Sequence, residues 1–263
     1  MSRQPLYVIK IGGNIIDDAT KLSLFLDHFA AIKAPKVLVH GGGKLATRLA
    51  ESLQVPQQLI EGRRITDAET LKIVTMVYAG YINKNLVAQL QARGCSAIGL
   101  SGADGDAVRA HKRRHAAFDY GFVGDVDGVN ADLLTTLLSR GNTVVLAPIT
   151  HDGKGQLLNT NADTIAQETA RALGSHFHVC LVYSFEKAGV LQNAADEDSV
   201  IRAITPEKYR ELKAAGIVSA GMIPKLDNAF AALTSGVGEV IIGKAEELPA
   251  LLSGEKGTHI HHD

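Results

Sequence analysis

Cysteine is nearly missing from this chain: 263 residues contain two, Cys95 and Cys180, each inside an apolar stretch. So few, so placed, read as buried thiols in a reducing compartment rather than a disulfide framework. An excess of charge of either sign is missing too. Lys and Arg number 27 against 28 Asp and Glu, for a net charge of −1. That excludes the marked basic surplus of a general nucleic-acid binder, so any anionic ligand must be met by local positive charge. No apolar run approaches the roughly 18 residues of a membrane span. The opening MSRQPLYVIKIGG enters a strand almost at once and leaves no room for a signal peptide, so the expected location is cytoplasmic. There is no internal repeat and no low-complexity tract. Two nucleotide motifs are also missing. GxxxxGK[ST] fails because Leu45 follows Lys44, and GxGxxG occurs in neither glycine loop, so a nucleotide would be bound another way.

What is present is an ordinary globular composition, 46% hydrophobic and 21% charged, in a chain long enough for one large α/β domain or two lobes. Short Val/Ile/Leu runs alternate with longer helical patterns. Strands are expected at 6–11, 37–40, 96–102, 143–149, 178–184 and 236–243. Helices are expected at 22–32, 44–53, 68–94, 131–141 and 162–174, several closed by glycine. Continuous apolar strands separated by helices predict a largely parallel sheet covered by helices on both faces, a three-layer α-β-α sandwich. Two polar or glycine-rich segments interrupt the pattern, 54–67 and 103–130. The second reads as an inserted β-hairpin, and such excursions sit over a substrate crevice. A lobe boundary is placed near Gly174–Ser175, giving lobes 1–174 and 175–263.

Strand-end glycines mark the chemistry. Three follow VLVH, at Gly41, Gly42 and Gly43, and two follow VIKI, at Gly12 and Gly13. A strand that ends in glycine and runs into a helix either only reverses the chain or forms an anion site, where a phosphate reaches backbone N–H groups. Two such loops in successive β–α units favour the anion site. Lys10 lies among Val8, Ile9 and Ile11, where its charge must be used, paired or snorkelled out. In GMIPKLDNAFAAL, Pro224 suits a helix first turn. Lys225 beside it opposes the helix dipole, so it is either an exposed lysine or one that meets a bound anion. Asn159, Asn161 and Asp163 alternate ahead of a helix and point to one side. Asn161 can cap that helix and Asp163 suits its first turn. Arg63 and Arg64 are either a solvated pair or a clamp whose fork matches a carboxylate.

Taken in order, K-x-G-G, H-G-G-G, G-x-R-x-T, F-V-G-D-V (122–126), N-x-N-A-D, G-M-I-P-K and the late G-T-x-I (257–260) resemble the amino acid kinase family, and within it the N-acetylglutamate kinase branch. The likeness spans essentially the whole chain. It implies that the mainly parallel sheet is open. It implies an N-terminal lobe for the amino-acid substrate and dimerisation, and a C-terminal lobe for ATP, with Mg²⁺ held mainly by the nucleotide. It implies transfer of the γ-phosphoryl group of ATP to the side-chain carboxylate of an N-acyl-L-glutamate, a step of arginine synthesis. Lys10 and Lys225 would neutralise the moving phosphoryl group, and Asp163 would orient them. Gly12, Gly13 and Gly41 would meet phosphate, and Gly42, Gly43, Arg64, Asn159 and Asn161 the substrate. Ser184, Glu186, Gly189 and Met222 would meet the nucleotide. No protein-bound metal site, membrane or nucleic-acid partner is implied.

The chain departs from the family's pattern in LVYSFEKAG, where Phe185-Glu186-Lys187 replaces a Ser/Thr–Asp pair and its small neighbour. It departs again at Ser219–Ala220. The acyl group, acetyl or succinyl, stays open. Lys44 and the run His111–His115 are either solvated or basic neighbours of that group. Only about five residues precede the first strand, where arginine-inhibited members carry an extra helix. A homodimer insensitive to arginine is therefore expected, with 68–94 as its helix. The tail THIHHD reads as a solvated end rather than a metal site. Two other readings remain: a sister enzyme phosphorylating aspartate, glutamate, carbamate or UMP, and a non-catalytic ligand-binding protein of the same fold.

Overall fold

The computed structural model describes residues 3–60, 63–193, 195–218 and 222–262. Gly62 of G-x-R-x-T and the departures at Ser219–Ala220 lie outside the described residues. The strands are β1 (Pro5–Ile11), β2 (Lys36–His40), β3 (Leu59–Ile60), β4 (Arg63–Arg64), β5 (Ala97–Leu100), β6 (Val108–Lys112) and β7 (Val123–Val129). Then follow β8 (Thr143–Leu146), β9 (Ile149–His151), β10 (Leu157–Thr160), β11 (His178–Phe185), β12 (Ala203–Ile204), β13 (Glu239–Lys244) and β14 (Thr258–Ile260). The helices are α1 (Gly13–Ile16), α2 (Ala19–Ala31), α3 (Gly43–Ser52), α4 (Ala68–Thr75) and α5 (Asn83–Ala92). They continue as α6 (Ala131–Ser139), α7 (Ala162–Leu173), α8 (Pro206–Ala214), α9 (Ile223–Thr234) and α10 (Leu248–Leu252).

Eight strands form the main sheet in the order β12-β14-β13-β11-β1-β2-β8-β5. Strand β14 runs antiparallel to β13, and the other neighbours pair parallel. The expected open, mainly parallel sheet with helices on both faces is therefore the observed architecture. Period-2 alternation divides each strand between two cores. Leu6 and Val8 of β1, Val37 and Val39 of β2, and Leu181 and Tyr183 of β11 pack with α6, α7, α8 and α9. Ile9, Ile11, Leu38 and Val182 pack on the other face with α2, α3, α4, α5 and α10. Strand β1 sits between β2 and β11, so its C-terminal end opens at the middle of the sheet edge.

The second interruption takes the expected hairpin form, and the first holds a short strand pair that was not expected. Residues 54–67 contain the β3–β4 hairpin. Within 103–130, β6 and β7 pair antiparallel and join β9 and β10 in a small closed barrel, ordered β10-β7-β6-β9.

Four expectations need correction. The run 143–149 is two strands, because it turns at Ala147–Pro148 and its second half joins the barrel. The strand expected from Gly236 starts at Glu239, because Gly236 adopts φ +96° and belongs to a turn. The helix 68–94 carries seven π-helical residues, Met76–Ile82, between α4 and α5. The start of the THIHHD tail is not a solvated end: Thr258 and Ile260 are fully buried in β14. There His259 Nδ1 donates to Glu239 Oε1 at 2.5 Å.

The burial pattern sets a test of the core. Leu181→Ala removes a side chain with no exposure at the sheet centre and is expected to lower the unfolding free energy by about 2–5 kcal/mol. Leu24→Ala, at a side chain 41% exposed, should stay within about 0.5 kcal/mol. Urea denaturation of both variants checks the contrast.

Candidate active site

Parallel strands end on one side of the sheet, so the loops after β1 and β2 meet. Gly12 and Gly42 are the N-caps of α1 and α3. A Cβ placed on Gly13 would lie 3.9 Å from the Gly43 nitrogen and 4.0 Å from that of Gly42, which puts the two glycine loops in contact. The carbonyls of both loops are spent on the protein. Gly12 O accepts from Ile15 and Ile16, Gly13 O from Asp17, and Gly42 O from Ala46. The first N–H groups of a helix have no intrahelical partner, so the helix starts leave donors for an anion. Gly41 differs: its N–H already donates to Ile11 O at 3.1 Å.

Glycine is required at position 42 for two reasons. Its φ is +148°, and a Cβ there would come within 2.2 Å of Ile82 Cδ1 and 3.3 Å of Tyr78 Cδ1. Both neighbours belong to the π-helical segment, which presses against the loop.

His40 fixes the same loop from below. Its ring Nδ1 lies 2.8 Å from Gly41 O, and its Nε2 lies 3.3 Å from Asn83 Nδ2. A carbonyl at one nitrogen and an amide donor at the other define a neutral ring protonated on Nδ1. Complete burial pulls its pKa down to about 4; the Gly41 bond opposes that pull and the Lys84 charge adds to it.

A cavity of about 200 Å³ opens beside the glycines, lined by Gly41–Gly43, Arg64, Tyr78, Asn159 and Asn161 among others. Arg64 is only 9% exposed. Its guanidinium donates to Gln57 Oε1, and at 2.9 Å to both Gly43 O and Thr47 Oγ1. It is therefore set in place before any ligand arrives. Asn159 Nδ2 donates to Thr66 Oγ1 at 3.0 Å, and Thr66 Oγ1 to Arg64 O at 2.9 Å. This relay ties N-x-N-A-D to G-x-R-x-T. Asn161 is the N-cap of α7, with Oδ1 accepting from Asp163 N at 2.8 Å and Thr164 N at 3.2 Å.

Asp163 does not line the cavity. It faces Lys10, whose Nζ lies 2.7 Å from Asp163 Oδ1. Lys10 follows Leu6 and Val8 toward the α7 face, which explains a lysine at the end of a buried strand: it meets the carboxylate at the start of that helix. Lys225 enters from the first turn of α9. Burial pulls its pKa below the usual lysine range; the Asp163 charge opposes this, Lys10 reinforces it, and Glu186 opposes it. For Glu186, burial works against ionisation, yet a hydrogen bond from Asn14 and the charges of Lys225 and Lys44 leave its pKa lowered. Three lysines and two carboxylates thus converge beside the glycine loops.

The expected nucleotide residues divide. Gly189 and Met222 line a second, mostly apolar cavity of about 100 Å³ with Lys187, Val190, Leu191, Ile217 and Val218. Glu186 stands with the lysines. Ser184 lines neither cavity. It shares the parity of Cys180 and Val182 on the opposite face, and its buried Oγ has no hydrogen-bond partner among the described residues. Thr258 of G-T-x-I braces the Gly189 loop, accepting from Val190 N at 2.8 Å and donating to Ile201 O at 2.6 Å. Lys44 and His111–His115 do not line the Arg64 cavity. The histidine-rich run lines a separate surface hollow at the β6–β7 tip.

Reasoning from sequence missed His40, Gln57, Tyr78 and Asn83. Tyr78 and Asn83 are five residues apart, the spacing of π-helical hydrogen bonds, but nothing in the composition of 68–94 distinguishes that segment from an ordinary α-helix.

The sequence matches the model of the amino acid kinase family over residues 5–244. It is 55% identical over 246 residues to the acetylglutamate kinase of Phocaeicola vulgatus, covering 94% of this chain and 96% of that one. It is 56% identical over 254 residues to the acetylglutamate kinase of Cytophaga hutchinsonii, covering 96% of each. Among solved structures it is similar to smu.665 from Streptococcus mutans, with a TM-score of 0.79 at 30% identity, covering 98% of this chain and 99% of that one.

The buried His40 carries a pH signature. Its folded pKa of about 4 lies below the roughly 6.5 of an unfolded histidine. Between those values the unfolded chain binds more protons, so stability falls as pH drops from 6.5 toward 4. The loss from this group is expected to reach about 3 kcal/mol. Urea unfolding of the parent protein and His40→Gln across that window should show this part of the slope in the parent only.

Proposed function

This chain belongs to the amino acid kinase family, and we propose that it transfers the γ-phosphoryl group of ATP to the side-chain carboxylate of N-acetyl-L-glutamate, giving an acyl phosphate and ADP in arginine biosynthesis. The observation that carries this reading is the meeting of Lys10, Asp163 and Lys225 with two glycine loops at the edge of the Arg64 cavity. The names of the relatives support it.

A carboxylate is already a nucleophile, so no general base is needed. Catalysis then consists of alignment and charge stabilisation. In this reading Arg64 receives the α-carboxylate of the substrate, and Asn159 and Asn161 its amide side. Leu59, Val123 and Pro148 supply an apolar wall for the acetyl group. The N–H groups of Gly12, Gly13, Gly42 and Gly43 meet the γ-phosphoryl group and the attacked carboxylate. Lys10 and Lys225 balance the charge that spreads over the transferring oxygens, while Asp163 keeps Lys10 on the transfer line. The base of ATP occupies the Gly189–Met222 cavity. Mg²⁺ bound with ATP would supply neutralisation of phosphate charge. Asp163 and Glu186 are the hard oxygen donors facing the lysines, and one or two carboxylates suit a Mg²⁺ that keeps its phosphates and water.

The substrate cavity draws on residues 41–162 and the second cavity on 187–222, which supports two lobes meeting near residues 174–175. A cytoplasmic homodimer is part of the same proposal. Met76 and Tyr81, 53% and 65% exposed on the π-helical segment, are apolar surface that a second copy would cover.

Trapping with hydroxylamine reads the acyl phosphate directly. ATP-dependent hydroxamate is expected with N-acetylglutamate and not with glutamate or aspartate. N-Succinylglutamate assayed in parallel decides the acyl group, and no signal from either acyl-glutamate would overturn the reading. Lys225→Ala and Lys10→Met should each lower kcat by about 10²–10³ with an unchanged circular dichroism spectrum.

A further inference from the structure

Lys225 is held in a different way from Lys10. Lys10 has the Asp163 carboxylate at 2.7 Å. Lys225 sits in the first turn of α9, at the end of the helix dipole that repels cations, and it feels the like charge of Lys10. Among the described residues no carboxylate lies within ion-pair distance of its ammonium; Asp163 and Glu186 act on it only from farther away. What it does meet is an aromatic face: Lys225 Nζ stands 4.2 Å from the centroid of the Phe185 ring. Phe185 ends β11 with the parity of Leu181 and Tyr183 and packs, partly buried, against the α7–α9 core.

We propose that Phe185 is a positioning residue whose ring seats the Lys225 ammonium beside the transferring phosphoryl group. This rests on the role given to Lys225 above. A carboxylate seat would occupy N–H donors of the lysine and offset its charge. A ring holds the cation through its quadrupole and leaves its full charge, and the N–H donors turned away from the ring, for phosphate oxygens. The division of labour follows: Asp163 holds one lysine by charge, and Phe185 holds the other without consuming it. It also gives a physical purpose to an aromatic residue at the end of β11, next to the site.

The test replaces Phe185 with 4-fluoro-, 3,5-difluoro- and 3,4,5-trifluorophenylalanine in the full-length enzyme. The series keeps the ring's shape while draining its negative face. Hydroxamate assays at saturating and limiting ATP should show kcat falling stepwise, roughly tenfold in all, with KM for ATP constant. Phe185→Leu should lose a similar factor, and Phe185→Tyr should recover most of it. A flat kcat across the fluorinated series would overturn the inference, as would a loss confined to KM for ATP, the mark of a ring that stacks on the nucleotide. Lys225→Met separates the two layers. An inactive Lys225→Met with a flat series removes only the role of Phe185, whereas a fully active Lys225→Met removes the role of Lys225 and this inference with it.

Discussion

The parallel pairing of β1 with β2 on one side and β11 on the other governs everything near the site. Parallel neighbours end at the same edge of a sheet, so the chain must leave all three strands at one place. The first two exits are glycine loops that start helices, and the third leads through Phe185 and Glu186. Alternation along β1 then decides where Lys10 points. With Leu6 and Val8 committed to the α7 face, Lys10 has no choice but the N-terminus of α7, and Asp163 is there to receive it. A one-residue slip of β1 would exchange Lys10 for Ile9 or Ile11 and remove the ion pair.

Charge at the site is balanced by position rather than by number. Lys10, Lys44 and Lys225 face Asp163 and Glu186, a small local surplus in a chain whose totals nearly cancel. Uncovered helix N–H groups add to the positive side without adding side chains. Such a surface favours a polyanion that arrives with partial neutralisation of its own.

Much of this was legible in the sequence because it rests on local rules. Strand-end glycines, a lysine inside an apolar run, an Asn-x-Asn-Ala-Asp helix start and a proline before Lys225 each reveal a backbone or charge requirement within a few residues. The parts that were not legible depend on distant packing. The π-helical turn at Met76–Ile82 has no compositional mark, yet it brings Tyr78 and Ile82 against Gly42. His40 reads as one more strand residue until Asn83 and the Gly41 carbonyl are seen on its two nitrogens. The closed barrel follows from β9 leaving the line of β8, a change of direction at Pro148 that a continuous apolar run conceals. Ser184, expected from its motif to meet the nucleotide, turns to the other face because strand parity outranks motif position.

The order of the sheet also bears on how the protein is made. Strand β1 is synthesised well before its partner β11, which begins at His178. Until that strand has been translated, β1 has only β2 on one side, and its other edge stays unsatisfied. The lysine–carboxylate pair joins residues 10 and 163, and the second lysine comes at 225. The reacting centre therefore cannot exist on a nascent chain that has not yet released most of its length. Long-range parallel pairing of this kind is slow to form and leaves apolar strand edges exposed meanwhile. The interval between the birth of β1 and the arrival of β11 is thus when this chain is most open to pairing with another, and cellular folding assistance would have its greatest effect there.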